Sequence, residues 1–253
     1  MSYPKSLEGK VALIVGGAGA IGAATGRLLG RDGATVVVTH LPGEAAAAAA
    51  AGLVAALPGA GHAAYPADVA DTRTLLELRD TLAGRYGRLD LLVNAAGFTK
   101  PVPHHDLDAL DDALIDRMFA VNWRGQFAAI RTFAPLLKAS GDGLVVSLSS
   151  IAATTGIGSS IAYCAAKAGI DVMTKALARV LAPEVRVLAV SPGVVDTGFV
   201  PNRGTDFNQK VASSTPLRRI ATAEDIAAAI AACWTHLGYS TGHTIQVDGG
   251  RAL

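Results

Sequence analysis

Short, mostly apolar, strand-like runs recur along this chain, at residues 11–15, 34–39, 62–67, 89–94, 144–148, 185–190 and 244–247, the first of them uninterrupted. Runs of this length suit strands covered on both faces, as in a parallel sheet. Between them lie helix-like stretches over 21–29, 44–57, 72–86, 111–137, 162–181 and 223–234, the Ala-rich second one because Ala is the best helix former. Strands alternating with helices predict one α/β domain spanning 1–253: a Rossmann-type, doubly wound, mostly parallel sheet of about seven strands with helices on both faces. The stretch 198–215 is polar, with Pro and Gly, and predicts a long loop or substrate lid.

Composition narrows the function classes. The net charge is +1 and only 17% of residues are charged, so nothing marks a nucleic-acid or anionic-membrane surface. No run of eighteen apolar residues predicts a membrane span. Two cysteines, Cys164 and Cys233, have no metal or disulfide spacing, which fits a reducing cytoplasm. The adjacent His104 and His105 lack acidic or Cys partners at ligand spacing, so no metal is expected.

Two stretches carry candidate chemistry. Gly16, Gly17, Gly19 and Gly22 follow the first strand and open a helix. Gly17, Gly19 and Gly22 have the spacing of a dinucleotide-binding loop, in which backbone N–H groups approach a pyrophosphate with no side chain between. The second stretch holds Tyr163 four residues before Lys167, with Ser150 thirteen residues before the tyrosine. On a helix, Tyr163 and Lys167 share a face. An ammonium roughly 5 Å from a phenol favours the phenolate by about 3 kcal/mol at an effective dielectric of about 20, which suits acid/base work. Alone, such a pair arises by chance in roughly one chain in seven of this composition.

Taken together, the motifs resemble those of the short-chain dehydrogenase/reductase family over nearly the whole chain. Val15 to Gly22 is similar to that family's glycine loop, Asp68-Val69 to its adenine-contacting pair, and Asn94-Ala95-Ala96-Gly97 to its Asn-Asn-Ala-Gly strand end. Asn122, Ser150, Tyr163 and Lys167 match its catalytic tetrad in order and spacing. Pro192-Gly193 through Thr197 is similar to its nicotinamide loop, and Val247 to Gly250 to its C-terminal signature. The resemblance implies Tyr163 as general acid/base, Lys167 lowering its pKa and binding the nicotinamide ribose, Ser150 polarising a carbonyl, and Asn122 holding a relay water at a helix irregularity. It implies cofactor contacts at Gly16, Gly17, Gly19, Ala20, Ile21, Gly22, His40, Asp68, Val69, Asn94, Ala95, Ala96, Gly97, Tyr163, Lys167, Pro192, Gly193, Val195 and Thr197. Four positions depart from the pattern. Val15 removes a threonine whose hydroxyl would brace the loop; Ala20, Ala95 and Leu188 replace a Gly and two Asn.

An NAD site usually has an acid at the end of the second strand. Here His40 stands there, so NADP is expected first and NAD second, with His40 as a plain exposed loop residue the competing reading. Ser150, Ile151, Ala152, Phe98, Ile157 and Phe199 are expected to line the substrate site; these small and apolar residues suit an uncharged carbonyl or alcohol. Within the family the chain is most similar to bacterial 3-oxoacyl-carrier-protein reductases, whose habit implies a homotetramer or homodimer. The alternatives are a non-redox epimerase, dehydratase or lyase on the same fold, and a cofactor-binding regulatory protein.

Overall fold

The computed structural model describes residues 4–200 and 206–253. Seven strands, β1(Val11–Val15), β2(Thr35–His40), β3(Ala63–Pro66), β4(Leu91–Asn94), β5(Gly143–Leu148), β6(Val185–Pro192) and β7(Thr244–Val247), form one sheet in the order β3-β2-β1-β4-β5-β6-β7. Every neighbouring pair is parallel. The helices are α1(Ala20–Arg31), α2(Glu44–Ala55), α3(Thr72–Tyr86), α4(Asp112–Phe119), α5(Gly125–Ala139), α6(Ala152–Thr155), α7(Ile161–Leu181), α8(Phe207–Ser214) and α9(Ala223–Thr235).

The mostly apolar runs have a direct cause. Successive strand residues point to opposite faces, and helices cover both. Val11, Leu13 and Val15 pack with Leu75, Leu78, Phe133 and Ile170 of α3, α5 and α7. Ala12 and Ile14 pack with Leu29, Ala50, Ile226 and Trp234 of α1, α2 and α9. Strand order reverses between β1 and β4, which opens a crevice at their carboxyl ends.

Two expectations need correction. The helix read over 111–137 is not continuous: a π-helical turn, Ala120–Arg124, separates α4 from α5. It falls on Asn122, where an irregularity was expected. The 198–215 stretch is not a plain loop, because α8 occupies much of it; residues 201–205 lie outside the described residues.

Candidate active site

The crevice is framed by four chain segments that leave the carboxyl ends of β1, β4, β5 and β6. After β1 the chain turns at Gly16, whose φ is +82°. A Cβ there would lie 2.5 Å from the Ala96 nitrogen, and one at Gly22 would lie 2.5 Å from the Gly16 carbonyl oxygen. Only glycine allows this fold-back of loop on helix and on the β4 end. Gly19 caps α1 with no side-chain hydrogen bond, so the first amides of α1, at Ala20 and Ile21, form an open anion site. Ala20 is tolerated because its φ is not positive. The brace expected to be missing at Val15 is supplied from β2: the Gly16 amide donates to Thr39 Oγ1 at 3.0 Å.

The adenosine side is more mixed. Asp68 is half-buried, and its carboxylate accepts the Ala70 amide at 2.8 Å. Val69 is buried against Gly125, where an added Cβ would come within 2.8 Å of it; its side chain therefore secures α5. His40 is the last residue of β2, pairs with Pro66 and is 8% exposed. Its Nδ1 lies 2.8 Å from the Leu41 carbonyl, which overturns the exposed-loop reading. At the β4 end, Asn94 Nδ2 donates to Ser147 Oγ at 3.2 Å, while Asn94 Oδ1 and Ser191 Oγ are buried with no partner among the described residues. The Ile151 amide donates to the Pro192 carbonyl and the Gly193 amide to Val247, fixing the β6 loop beneath the crevice. Val195 is buried and bridges to Ala221. Thr197 Oγ1 accepts the Phe199 amide at 3.4 Å. An uncapped helix start, a glycine fold-back and bare buried acceptors at strand ends suit a dinucleotide.

Ser160 caps α7 by accepting the Tyr163 amide at 3.2 Å, which sets Tyr163 and Lys167 one turn apart facing β5. Lys167 is 3% exposed. Its Nζ donates to the Leu148 carbonyl at 2.6 Å and lies 5.6 Å from the Tyr163 ring centre. Burial pushes its pKa down to about 8, against the opposing charge of Asp171. Ser150 sits just past β5, where its hydroxyl accepts the Ala152 amide at 3.2 Å. Asn122 is fully buried. Its amide nitrogen donates to the Phe98 and Met118 carbonyls, and its Oδ1 accepts the Phe98 amide. The side chain is thus spent on holding Phe98, and only the backbone of the π-turn is left for the expected water-holding role.

The residues read as substrate-lining divide. Phe199 tilts over Tyr163 with ring centres 6.2 Å apart, and Phe98 is half-buried beneath the Arg117 guanidinium. Ile151 and Ala152 are buried, whereas Ile157 is 79% exposed and belongs to the rim. Thr39 and Thr99 stand where a cofactor contact and the pocket rim were expected, but the contacts they make, Thr39 to the Gly16 amide and Thr99 to the Ser159 hydroxyl, had no sequence signal. Gln126, a buried polar residue on a largely apolar helix, had none either. Each contact depends on a partner distant in the chain. Among the described residues no cluster of His, Cys, Asp and Glu could hold a metal, and no helix is long and apolar enough to cross a membrane.

Residues 16–252 match a family model described as enoyl-(acyl carrier protein) reductase. A Streptomyces violaceoruber protein named as a ketoacyl reductase of the granaticin polyketide synthase is 37% identical, with 97% of each chain covered. The 3-oxoacyl-(acyl-carrier-protein) reductase of Thermotoga maritima is 32% identical, covering 98% of this chain and 99% of its own. Among solved structures, a short-chain dehydrogenase/reductase from Brucella melitensis superposes with a TM-score of 0.90 at 30% identity, covering 99% of both chains.

Proposed function

Because this chain belongs to the short-chain dehydrogenase/reductase family and is a nicotinamide-dependent oxidoreductase, we propose that Tyr163 is its general acid/base and that its substrate is a small ketone or the matching alcohol. The observation that carries this reading is Lys167, a buried ammonium one turn behind the tyrosine with no carboxylate in salt-bridge contact among the described residues. A desolvated positive charge is costly, and here it favours the phenolate form of its neighbour. The bound nicotinamide supplies the hydride in reduction and accepts it in oxidation. In reduction, Ser150 donates to the substrate oxygen and Tyr163 gives it a proton; in oxidation the proton returns to Tyr163. Phe199, tilted over Tyr163, would present aromatic surface beside the reacting oxygen.

The cofactor is held by the amides at the start of α1 and by the turns after β4 and β6. NADP is the first choice, since β2 ends in His40 where an acid would repel a 2′-phosphate. The substrate proposed for first testing is a 3-oxoacyl thioester, because relatives named as ketoacyl, acetoacetyl-CoA and 3-oxoacyl-(acyl-carrier-protein) reductases align over nearly the full chain. An acetoacetyl thioester and simple ketones, each offered with NADPH and with NADH and followed by nicotinamide absorbance, test both choices. Turnover with NADPH on the thioester is expected. A preference for NADH above about a thousandfold, some 4 kcal/mol, would sink the reading of His40.

A further inference from the structure

Gln126 is the second residue of α5, is 1% exposed, and sits among apolar neighbours: Ala128, Ala129, Ile130 and Phe133. Its Nε2 lies 3.5 Å from the Leu148 carbonyl oxygen. That same oxygen accepts Lys167 Nζ at 2.6 Å. Donors from two helices therefore converge on one carbonyl at the end of β5. The Gln126 Oε1 is buried and has no partner among the described residues. A bare buried amide oxygen costs about 1–3 kcal/mol, and Leu or Met would fill the same volume without it. An ammonium has three N–H donors, and a half-turn of the carboxamide exchanges its nitrogen and oxygen in nearly the same space. The oxygen then lies beside the Leu148 carbonyl oxygen that the ammonium already reaches.

We propose that Gln126 is a positioning residue for Lys167: its carboxamide oxygen and the Leu148 carbonyl together form a neutral polar seat that keeps the ammonium charged behind Tyr163. The seat depends on the role of Lys167 proposed above only for its consequence, not for its existence. Other groups bear on the ammonium as follows. Tyr163 and Asp171 flank it on α7, with Asp171 Oδ1 accepting a hydrogen bond from Thr244 of β7. Lys175 follows one turn beyond Asp171. The strands β4 and β5 and the short α6 contribute no charged side chain. Asn122 is neutral, and Arg124 of the π-turn reaches instead to the Ala70 carbonyl. The burial that pushes Lys167 down to about 8 makes each remaining acceptor count.

The test titrates Lys167 directly. Full-length protein carrying ¹³C at lysine Cε is followed by NMR from about pH 6 to about pH 11, and the Lys167 signal is assigned by its loss in Lys167→Met. Gln126→Leu is expected to lower the midpoint by about 0.5–1 unit, a three- to tenfold loss of proton affinity, and Gln126→Glu to raise it by at least as much. The loss of ketone reduction in Gln126→Leu should be concentrated on the alkaline side of its pH profile. A Gln126→Leu midpoint within about 0.2 unit of the parent, or a lower midpoint in Gln126→Glu, overturns the seat. If Gln126→Leu fails to fold, Gln126→Met and Gln126→Glu decide the question. A midpoint that moves while the activity profile does not would uphold the seat and refute the catalytic role given to Lys167.

Discussion

The two ends of the sheet treat buried polar groups in opposite ways. At the amino-terminal end, Asp90 is fully buried where β1 and β4 begin. It accepts the Val11 amide at 3.0 Å, Lys10 Nζ at 3.1 Å, and two guanidinium N–H groups of Arg88 at 2.9 and 2.6 Å. Burial alone would raise its carboxyl, but these hydrogen bonds outweigh it and hold the pKa below the ordinary value. At the carboxyl end, Asn94 Oδ1, Ser191 Oγ and Gln126 Oε1 are buried without a partner among the described residues, and Lys167 meets a carbonyl and, farther off, Asp171. The polar residues named at both ends, Asp90 on one side and Asn94, Ser191 and Gln126 on the other, are all buried. The difference is that one network closes on itself and contributes stability, while the other is left open and spends stability on reactivity.

The sharpest way to break this comparison is at the open end. Tyr163→Phe is expected to lower turnover by about 10²–10⁴-fold while leaving the melting temperature and NADPH binding in place. Normal turnover in that variant, measured with any ketone the parent reduces, would remove Tyr163 from the chemistry.

The closed end should respond in the opposite sense. Asp90→Ala strips Lys10 and Arg88 of their shared partner and is expected to cost about 3–5 kcal/mol in denaturant unfolding, with kcat preserved in the protein that stays folded. The sign of its pH dependence follows from the depressed carboxyl. Asp90 contributes stability above the ordinary carboxylate pKa of about 4, and that contribution is lost as pH falls toward its folded value. The parent and the variant should thus converge in acid. A stability gap that persists unchanged well below pH ~4 would mean that the charge of Asp90 is not what matters.

A smaller effect joins the two ends. Lys167→Met abolishes the proposed chemistry, yet it is expected to raise stability at pH 7 by as much as about 3 kcal/mol, the equivalent of moving a lysine from 10.5 to about 8 at ~1.4 kcal/mol per unit. Between those values the unfolded chain holds a proton that the native state has released, so the parent gains stability as pH rises. The advantage of the variant should fade from about pH 8 and vanish near 10.5. A variant less stable than the parent across this window, by thermal melts in matched buffers, would show that the buried ammonium is not a net cost.

Much of this was legible in the chain. The limits of β1, α3 and β7 follow from apolar period and turn residues alone, because both signals are local. The break in the helix at Asn122 was expected from resemblance, and the π-turn falls there. Less legible was anything that depended on partners in another segment. Val15 read as a lost brace until β2 brought Thr39 to the Gly16 amide. That the Asn122 side chain is committed to Phe98, leaving its backbone for the expected role, had no signal in the chain. His40 has two readings in sequence, and only its place as the buried last residue of β2 separates them.

By itself, then, the sequence determined the order of strands and helices, the glycine turn, and the helical spacing that puts Lys167 one turn behind Tyr163. These are properties of residues a few positions apart, set by backbone sterics and the helical period. The tertiary structure alone decided which buried polar groups are satisfied and which are left bare. Gln126 and Leu148 are 22 residues apart, and Asp90 and Lys10 are 80 apart. No local pattern records such a meeting, because it exists only once the sheet has fixed the ends of its strands side by side.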